Sequence, residues 1–203
     1  MGPGTCSKGV VALHLFLNIV FFNGFRTIIV KIWCYFDLTS CSEVINNNMQ
    51  KIIQKIRQYV YSRWTLSEIH GISHWDRVYG YGQQLVTPDV DPLVVAMFAY
   101  LHDSCRTDDG YDTLNGARAA EWIDSLRDTY LSSLSDKQIE LLKTACRLHT
   151  TTLKTGNPTV DACFDADRLD LWRVGILPDP ERLATEKGKQ IARNTDYGVL
   201  MDF

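Results

Sequence analysis

Three separated stretches of the chain offer residue types that bind metal ions. They are His74 in HGISHWDRV, the adjacent pair His102-Asp103 in AYLHDSCR, and the acidic run DADRLD from Asp165 to Asp170. Imidazole nitrogens and carboxylate oxygens are the donors of hydrolytic metal sites, which need only a few of them and leave positions open for water and substrate. Two histidines and two carboxylates meet that requirement. Singly each has an ordinary reading: a His on an apolar helix face is commonly a satisfied core residue, and an Asp in a polar run is commonly solvated or a cap. The conjunction of three such stretches is what points to a shared site.

The elements that must position these residues read as helices from Met49 onward. Ile52, Ile53, Ile56, Tyr59 and Val60 form one stripe. A second helix is predicted from about Ile72 to Val86, with His74, Val78, Tyr81 and Leu85 on one face. Asp91-Pro92 is a good N-cap and first-turn pair for a third helix, Leu93 to about His102. That helix is apolar on nearly every side and should be the central buried one. Arg106 to Gly116 reads as a polar loop in which Asp108, Asp109 and Asp112 are solvated, and Ala117 to Leu131 as a fourth helix. Ser135 and Gln138 have capping-box spacing and open a fifth helix running to His149. After a break at Thr155-Gly156-Asn157-Pro158, a sixth is predicted from Thr159 to Val174, with Phe164, Asp167 and Leu171 on one side. A last short helix covers about Glu181 to Arg193. No alternating strand pattern of useful length is present, so the expected fold is an all-α bundle. In it His74, His102, Asp103 and Asp167 point inward from three helices. Buried charge is costly unless paired or coordinated, and one shared metal ion would resolve all four.

Length and charge narrow the class. The 203 residues carry 21 basic and 24 acidic side chains, a net charge of −3. No clustered basic face appears, which argues against a nucleic-acid polymer as partner. Six cysteines without CxxC pairing argue for reduced thiols and a cytoplasmic protein rather than a disulfide or zinc-finger framework. Composition changes along the chain: residues 1–48 hold 26 hydrophobic residues and five charges, whereas 49–203 hold 18 basic and 22 acidic residues. The expected organisation is an apolar N-terminal extension over 1–48 and a working domain over 49–203. Val10 to Phe22 is interrupted by His14 and Asn18, and lengthening it to the roughly 20 residues a bilayer span requires brings in Arg26 and then Lys31. Membrane contact, the alternative to a cytoplasmic location, is therefore expected only through residues 9–36.

The order of these motifs, H…HD…D, with the first His in the form H-x-x-R-V (His74 to Val78) and the last Asp inside D-A-D-R-L-D, resembles the HD-domain superfamily of metal-dependent phosphohydrolases. The resemblance covers about Arg57 to Arg173. It implies an HD-type helical bundle with a central metal site, and carries over the ligands His74, His102, Asp103 and Asp167. The implied reaction is hydrolysis of a phosphate ester or anhydride of a small metabolite, with a nucleotide as the leading substrate. Asp103 would combine ligation with orienting the attacking water, and Arg106 would grip the substrate phosphate, with Arg147 and His149 as further substrate-binding candidates.

This chain departs from parts of that pattern. Branches of the superfamily that carry a Glu shortly after the HD pair use it as an acid or base; here the pair is followed by Ser104, Cys105 and Arg106. Asn115 stands where many members have a His, so one divalent ion is expected rather than two, with Asn115 serving as a helix cap. A His₂Asp₂ set suits Mn, Fe, Co, Ni, Mg or Zn. The competing reading is a non-catalytic nucleotide- or metal-binding HD module; intact ligand positions favour the hydrolase.

Overall fold

The computed structural model describes residues 18–22, 25–29 and 38–201, with side chains over 46–200. The chain divides into two compact units, Met1–Ile45 and Asn46–Phe203. In the first, strands β1 (Asn18–Phe22) and β2 (Phe25–Ile29) form an antiparallel pair with Asn18 opposite Ile29 and Phe22 opposite Phe25. The sequence reading has no strand here. Its signal is nevertheless present: two runs rich in β-branched and aromatic residues separated by Asn23-Gly24, the strongest short hairpin signature. The rest of the predicted membrane-contact segment, residues 9–36, lies outside the described residues. Among the described residues, no helix is long and apolar enough to cross a membrane.

The second unit is all-helical, as the periodicity predicts. Helix α1 (Leu38–Arg63) begins earlier than the predicted Met49. Asn46, Asn47 and Asn48 look like a boundary but lie within the helix, because Asn costs only about 0.7 kcal/mol per residue relative to Ala and helix-forming residues follow. Next come α2 (Ile72–Leu85), α3 (Pro92–Leu101), α4 (Asn115–Leu126), α5 (Asp136–Leu148) and α6 (Pro158–Arg168). Two short 3₁₀ turns, Leu171–Val174 and Pro180–Arg182, precede α7 (Glu186–Asn194) and α8 (Tyr197–Met201).

Helix α3 is the centre, packed against α2, α5 and α6, with every residue from Val94 to Leu101 buried. Its start is set by Asp91, whose carboxylate accepts from the Leu93 and Val94 amides at 3.0 and 3.2 Å, and Pro92 needs no such partner. The predicted capping box at Ser135 and Gln138 is formed. Helices α4 and α5 pack closely because position 116 is Gly: a Cβ there would lie 2.1 Å from the Cys146 carbonyl oxygen. Arg57 on α1 forks onto Asp76 of α2 at 2.8 and 2.6 Å, and Tyr100 of α3 donates to the same carboxylate at 3.1 Å.

Three predicted helices are bounded differently, the fourth stopping at Leu126 rather than Leu131. The sixth stops at Arg168, and the Leu171–Val174 turn closes on Gly175 at φ +78°, the left-handed conformation that Gly adopts without strain. The last predicted helix is broken before α7. The cause is buried Asp165, whose carboxylate accepts from the Ala184 amide at 2.7 Å, the Thr185 amide at 2.8 Å and the Thr185 hydroxyl at 2.6 Å. Those bonds hold residues 184 and 185 outside a helix, and Thr185 then caps α7 through the Gly188 amide.

Candidate metal centre

Each predicted ligand sits at an element end that faces the core. His74 lies in the first turn of α2, His102 and Asp103 directly follow α3, and Asp167 is in the last turn of α6. His74 and His102 are fully buried and Asp103 is 3 % exposed, while the Asp167 side chain retains 17 %. The two imidazoles meet edge on, with Nε2 to Nε2 at 3.1 Å. Asp167 Oδ1 lies 3.4 Å from His74 Nε2 and 3.6 Å from His102 Nε2. Asp103 Oδ2 lies 3.8 Å from each. The buried group His74, His102 and Asp103 brings its donor atoms within 4.8 Å of one another, close enough to hold a metal ion.

The partners of the other ring nitrogens determine what these atoms need. His102 Nδ1 is 3.1 Å from the Phe98 carbonyl oxygen and 3.2 Å from that of Ala99, groups that only accept, so Nδ1 carries the hydrogen. His74 Nδ1 is 2.8 Å from Asp170 Oδ2, a carboxylate already forked by Arg77 at 2.7 and 3.1 Å. In the neutral rings both Nε2 atoms therefore present lone pairs to each other at 3.1 Å, with two carboxylates alongside. Only a cation, proton or metal, removes that repulsion, and the residues present fit a divalent ion. A carboxylate orienting a ligand His from behind is the usual outer support of such sites.

Electrostatics show the same need. Burial pushes the His74 imidazole down to about 4, against the pull of its Asp170 hydrogen bond. For His102 burial also opposes the charge, but Asp103 and Asp167 outweigh it and the value is raised. Burial likewise works to raise both carboxylates, yet the neighbouring imidazoles hold Asp103 and Asp167 well below the usual range. One positive charge is thus favoured within the cluster.

No known protein family model, no curated protein and no solved structure matches this chain. The chemistry of the site rests on its own residues.

The remaining predicted residues fall in three places. Arg106 is next to Asp103, with Nη1 at 3.4 Å from Oδ1, but it also donates to the Asp108 and Gly110 carbonyl oxygens. Its guanidinium braces the loop and the Asp103 carboxylate. His149 is buried, donates from Nδ1 to the Cys146 carbonyl at 2.7 Å and turns Nε2 toward Asp103 Oδ1 at 3.7 Å. Arg147 is exposed on α5, and the structure does not bring it to the cluster. Asn115 is not the expected cap, since Leu114 holds that position without a side-chain cap bond and Asn115 is the first residue of α4; its side chain reaches the cluster instead. Its carbonyl accepts from the Gly116 amide at 2.7 Å, while its amide donates to Asp103 Oδ1. Asp108 and Asp109 are exposed, as expected, each accepting one backbone amide bond, from Gly110 at 2.7 Å and from Ser67 at 3.2 Å, whereas Asp112 is half-buried. Asp112 accepts from the Thr107 amide at 3.0 Å and pairs with Arg118; burial opposes its charge, but these bonds bring it down to about 2.

Sequence reasoning missed His70, Asp170, Arg77 and Arg173. His70 Nδ1 lies 3.0 Å from Asp103 Oδ2, and Arg173 Nη2 lies 3.4 Å from the same nitrogen. His70 had a visible signal, its four-residue spacing from His74. Asp170 closes the D-A-D-R-L-D run, but nothing local announces that it serves His74, 96 positions away. A cleft of about 570 Å³ opens beside the cluster, lined at its inner end by Asp167 and His149.

Proposed function

We propose that this chain is a metal-dependent phosphohydrolase of the HD type, cleaving a phosphate ester or anhydride of a small metabolite, with a nucleotide as the leading candidate. The observation that carries the reading is the convergence of His74, His102, Asp103 and Asp167 on one point, with Asp167 also lining a cleft. A divalent ion held there would lower the pKa of bound water and neutralise phosphate charge.

The chain's own residues divide the remaining work. His74 and His102 present their Nε2 atoms, with ring orientation held by Asp170 and by the Phe98 and Ala99 carbonyls. Asp103 ligates, and its two oxygens are otherwise taken by Asn115, Arg106 and His70. Orienting the attacking water, which the resemblance assigns to Asp103, would therefore fall to Asp167, the carboxylate of the cluster that lines the cleft. His149, which lines the same cleft, would bind a phosphate oxygen through Nε2. Helix packing around α3 keeps bulk water from the buried side of the cluster.

The test is purification without chelator, metal analysis, and a screen of nucleoside mono-, di- and triphosphates with Mn²⁺, Mg²⁺, Co²⁺ and Ni²⁺, in the wild type and Asp167→Ala. Hydrolysis that falls at least about 100-fold in the variant together with its metal content, a loss at the upper end of what removing an outer-shell partner costs, supports the reading. Unchanged metal content and activity in Asp167→Ala overturn the site. Binding of nucleotide and metal without turnover assigns the non-catalytic module instead.

A further inference from the structure

The cleft beside the cluster is not uniformly polar. Beyond Asp167 and His149 its lining combines the polar Thr150, Thr151, Thr152, Arg168, Asp179 and Arg182 with an apolar patch that includes Leu153, Leu171, Ile176 and Leu177. Leu153, Ile176 and Leu177 are 50, 54 and 61 % exposed, three of the few large apolar side chains that the described residues leave open to solvent. They are held there by fixed backbone. Arg168 donates to the Leu153 carbonyl at 2.7 Å and to the Thr152 carbonyl at 2.5 Å, and Ile176 and Leu177 lie between left-handed Gly175 and buried Pro178. The described residues that line the cleft include no Phe, Tyr or Trp. A volume of about 570 Å³ lies within the range of small-molecule pockets, and such pockets combine an apolar wall with a few polar groups at the reacting end.

We propose that the Leu153, Ile176 and Leu177 wall binds the organic half of the phosphorylated substrate, and that this half carries an apolar face the size of a phenyl ring or a nucleobase. The inference rests on the reading of the His74, His102, Asp103 and Asp167 cluster as the phosphate end. A compact polyol phosphate would leave the wall wet and bind through its phosphate alone. A nucleoside and a simple aryl or alkyl ester share the required chemistry.

The test separates binding from turnover by using phosphonates, which are not hydrolysed. The full chain, loaded with Mn²⁺, is titrated calorimetrically with methylphosphonate, phenylphosphonate and the phosphonate isostere of adenosine 5′-monophosphate. The proteins are the wild type, Ile176→Asp/Leu177→Asp and the conservative Ile176→Val/Leu177→Met. In the wild type phenylphosphonate should bind about tenfold or more tightly than methylphosphonate, as burial of one ring against an apolar wall implies. The Asp pair should erase that gap by lowering phenylphosphonate affinity more than methylphosphonate affinity, since the added charge repels both anions alike, and the conservative pair should keep it. The adenosine isostere binding more tightly than phenylphosphonate assigns the body to a nucleoside, and the reverse order to a non-nucleoside ester. Equal affinities in the wild type, a gap that survives the Asp pair, or no phosphonate binding at all overturns the inference. A gap of the expected kind with no phosphate ester hydrolysed overturns the catalytic reading alone.

Discussion

His74 Nε2 and His102 Nε2 face each other at 3.1 Å, each with its Nδ1 committed to an acceptor. Two buried lone pairs in that arrangement require a cation between them. The consequences extend from metal binding to the pH dependence of stability.

Without metal, stability should peak near pH 6.5 and fall on both sides. The unfolded chain protonates His74 at the ordinary 6.5, while the fold does so only at about 4. The unfolded state therefore binds more protons between those values, and stability declines as pH drops, by about 3 kcal/mol when complete. His102 has the opposite sign. Its raised value means that its contribution is full below 6.5 and is lost as pH rises through the folded value. Asp103 and Asp167, held low, keep their contribution until far more acid pH. Urea denaturation of chelator-treated protein from pH 4.5 to 9 measures this, and added Mn²⁺ should flatten the alkaline limb. A monotonic profile would contradict the facing-imidazole arrangement.

Asp170→Asn should weaken metal binding by about 10–100-fold, the usual cost of losing an outer-shell partner of a ligand His. It also leaves Arg77 and Arg173 beside a neutral group where a fully buried carboxylate stood. Because the Arg77 side chain is 34 % exposed, the loss should cost about 1.5–3 kcal/mol, the range for a hydrogen bond to a charged group. Calorimetric Mn²⁺ titration and a thermal melt read the two effects. Unaltered affinity would show that His74 needs no orienting carboxylate.

Gly116→Ala should destabilise the bundle by about 1–3 kcal/mol, the range for overpacking a filled interior. The added Cβ would meet the Cys146 carbonyl oxygen at 2.1 Å and the His149 ring at 3.1 Å, so α4 must move away from α5. Because Asn115 and His149 flank Asp103, metal affinity should fall with stability. A variant as stable as the wild type would mean that the α4 and α5 spacing is not set by this glycine.

The chain from Met49 to Phe203, expressed alone, should be soluble and unfold cooperatively. Among the described residues, the apolar side chains that α1 buries, Ile53, Ile56 and Val60, all follow Met49. Circular dichroism and a denaturant titration decide this; an insoluble or non-cooperative product would show that the preceding residues are needed.

Much of the site was legible because its pieces are local. His74 shares a helical stripe with Val78 and Leu85, and His102-Asp103 ends a run of apolar residues too long and too uniform to lie anywhere but the centre. Asp91 and Ser135 announce their helix starts through bonds to amides two or three residues on. The paired strands Asn18–Phe22 and Phe25–Ile29 are equally local, but they lie in a segment whose hydrophobicity masks the Asn23-Gly24 signal in the sequence.

Other features have no local signature. The bond from His74 to Asp170 spans 96 residues, that from His70 to Asp103 spans 33, and Asp165 breaks the chain at Ala184 and Thr185 from 19 and 20 residues away. The cleft wall joins Leu153 to Ile176 and Leu177 across an entire helix. Capping and amphipathic register depend on atoms within a turn or two of each other, so the linear order of residues settles them. Which distant side chains meet depends on where helices stop and how they pack, down to a single absent Cβ at Gly116, and that is decided only when the bundle closes.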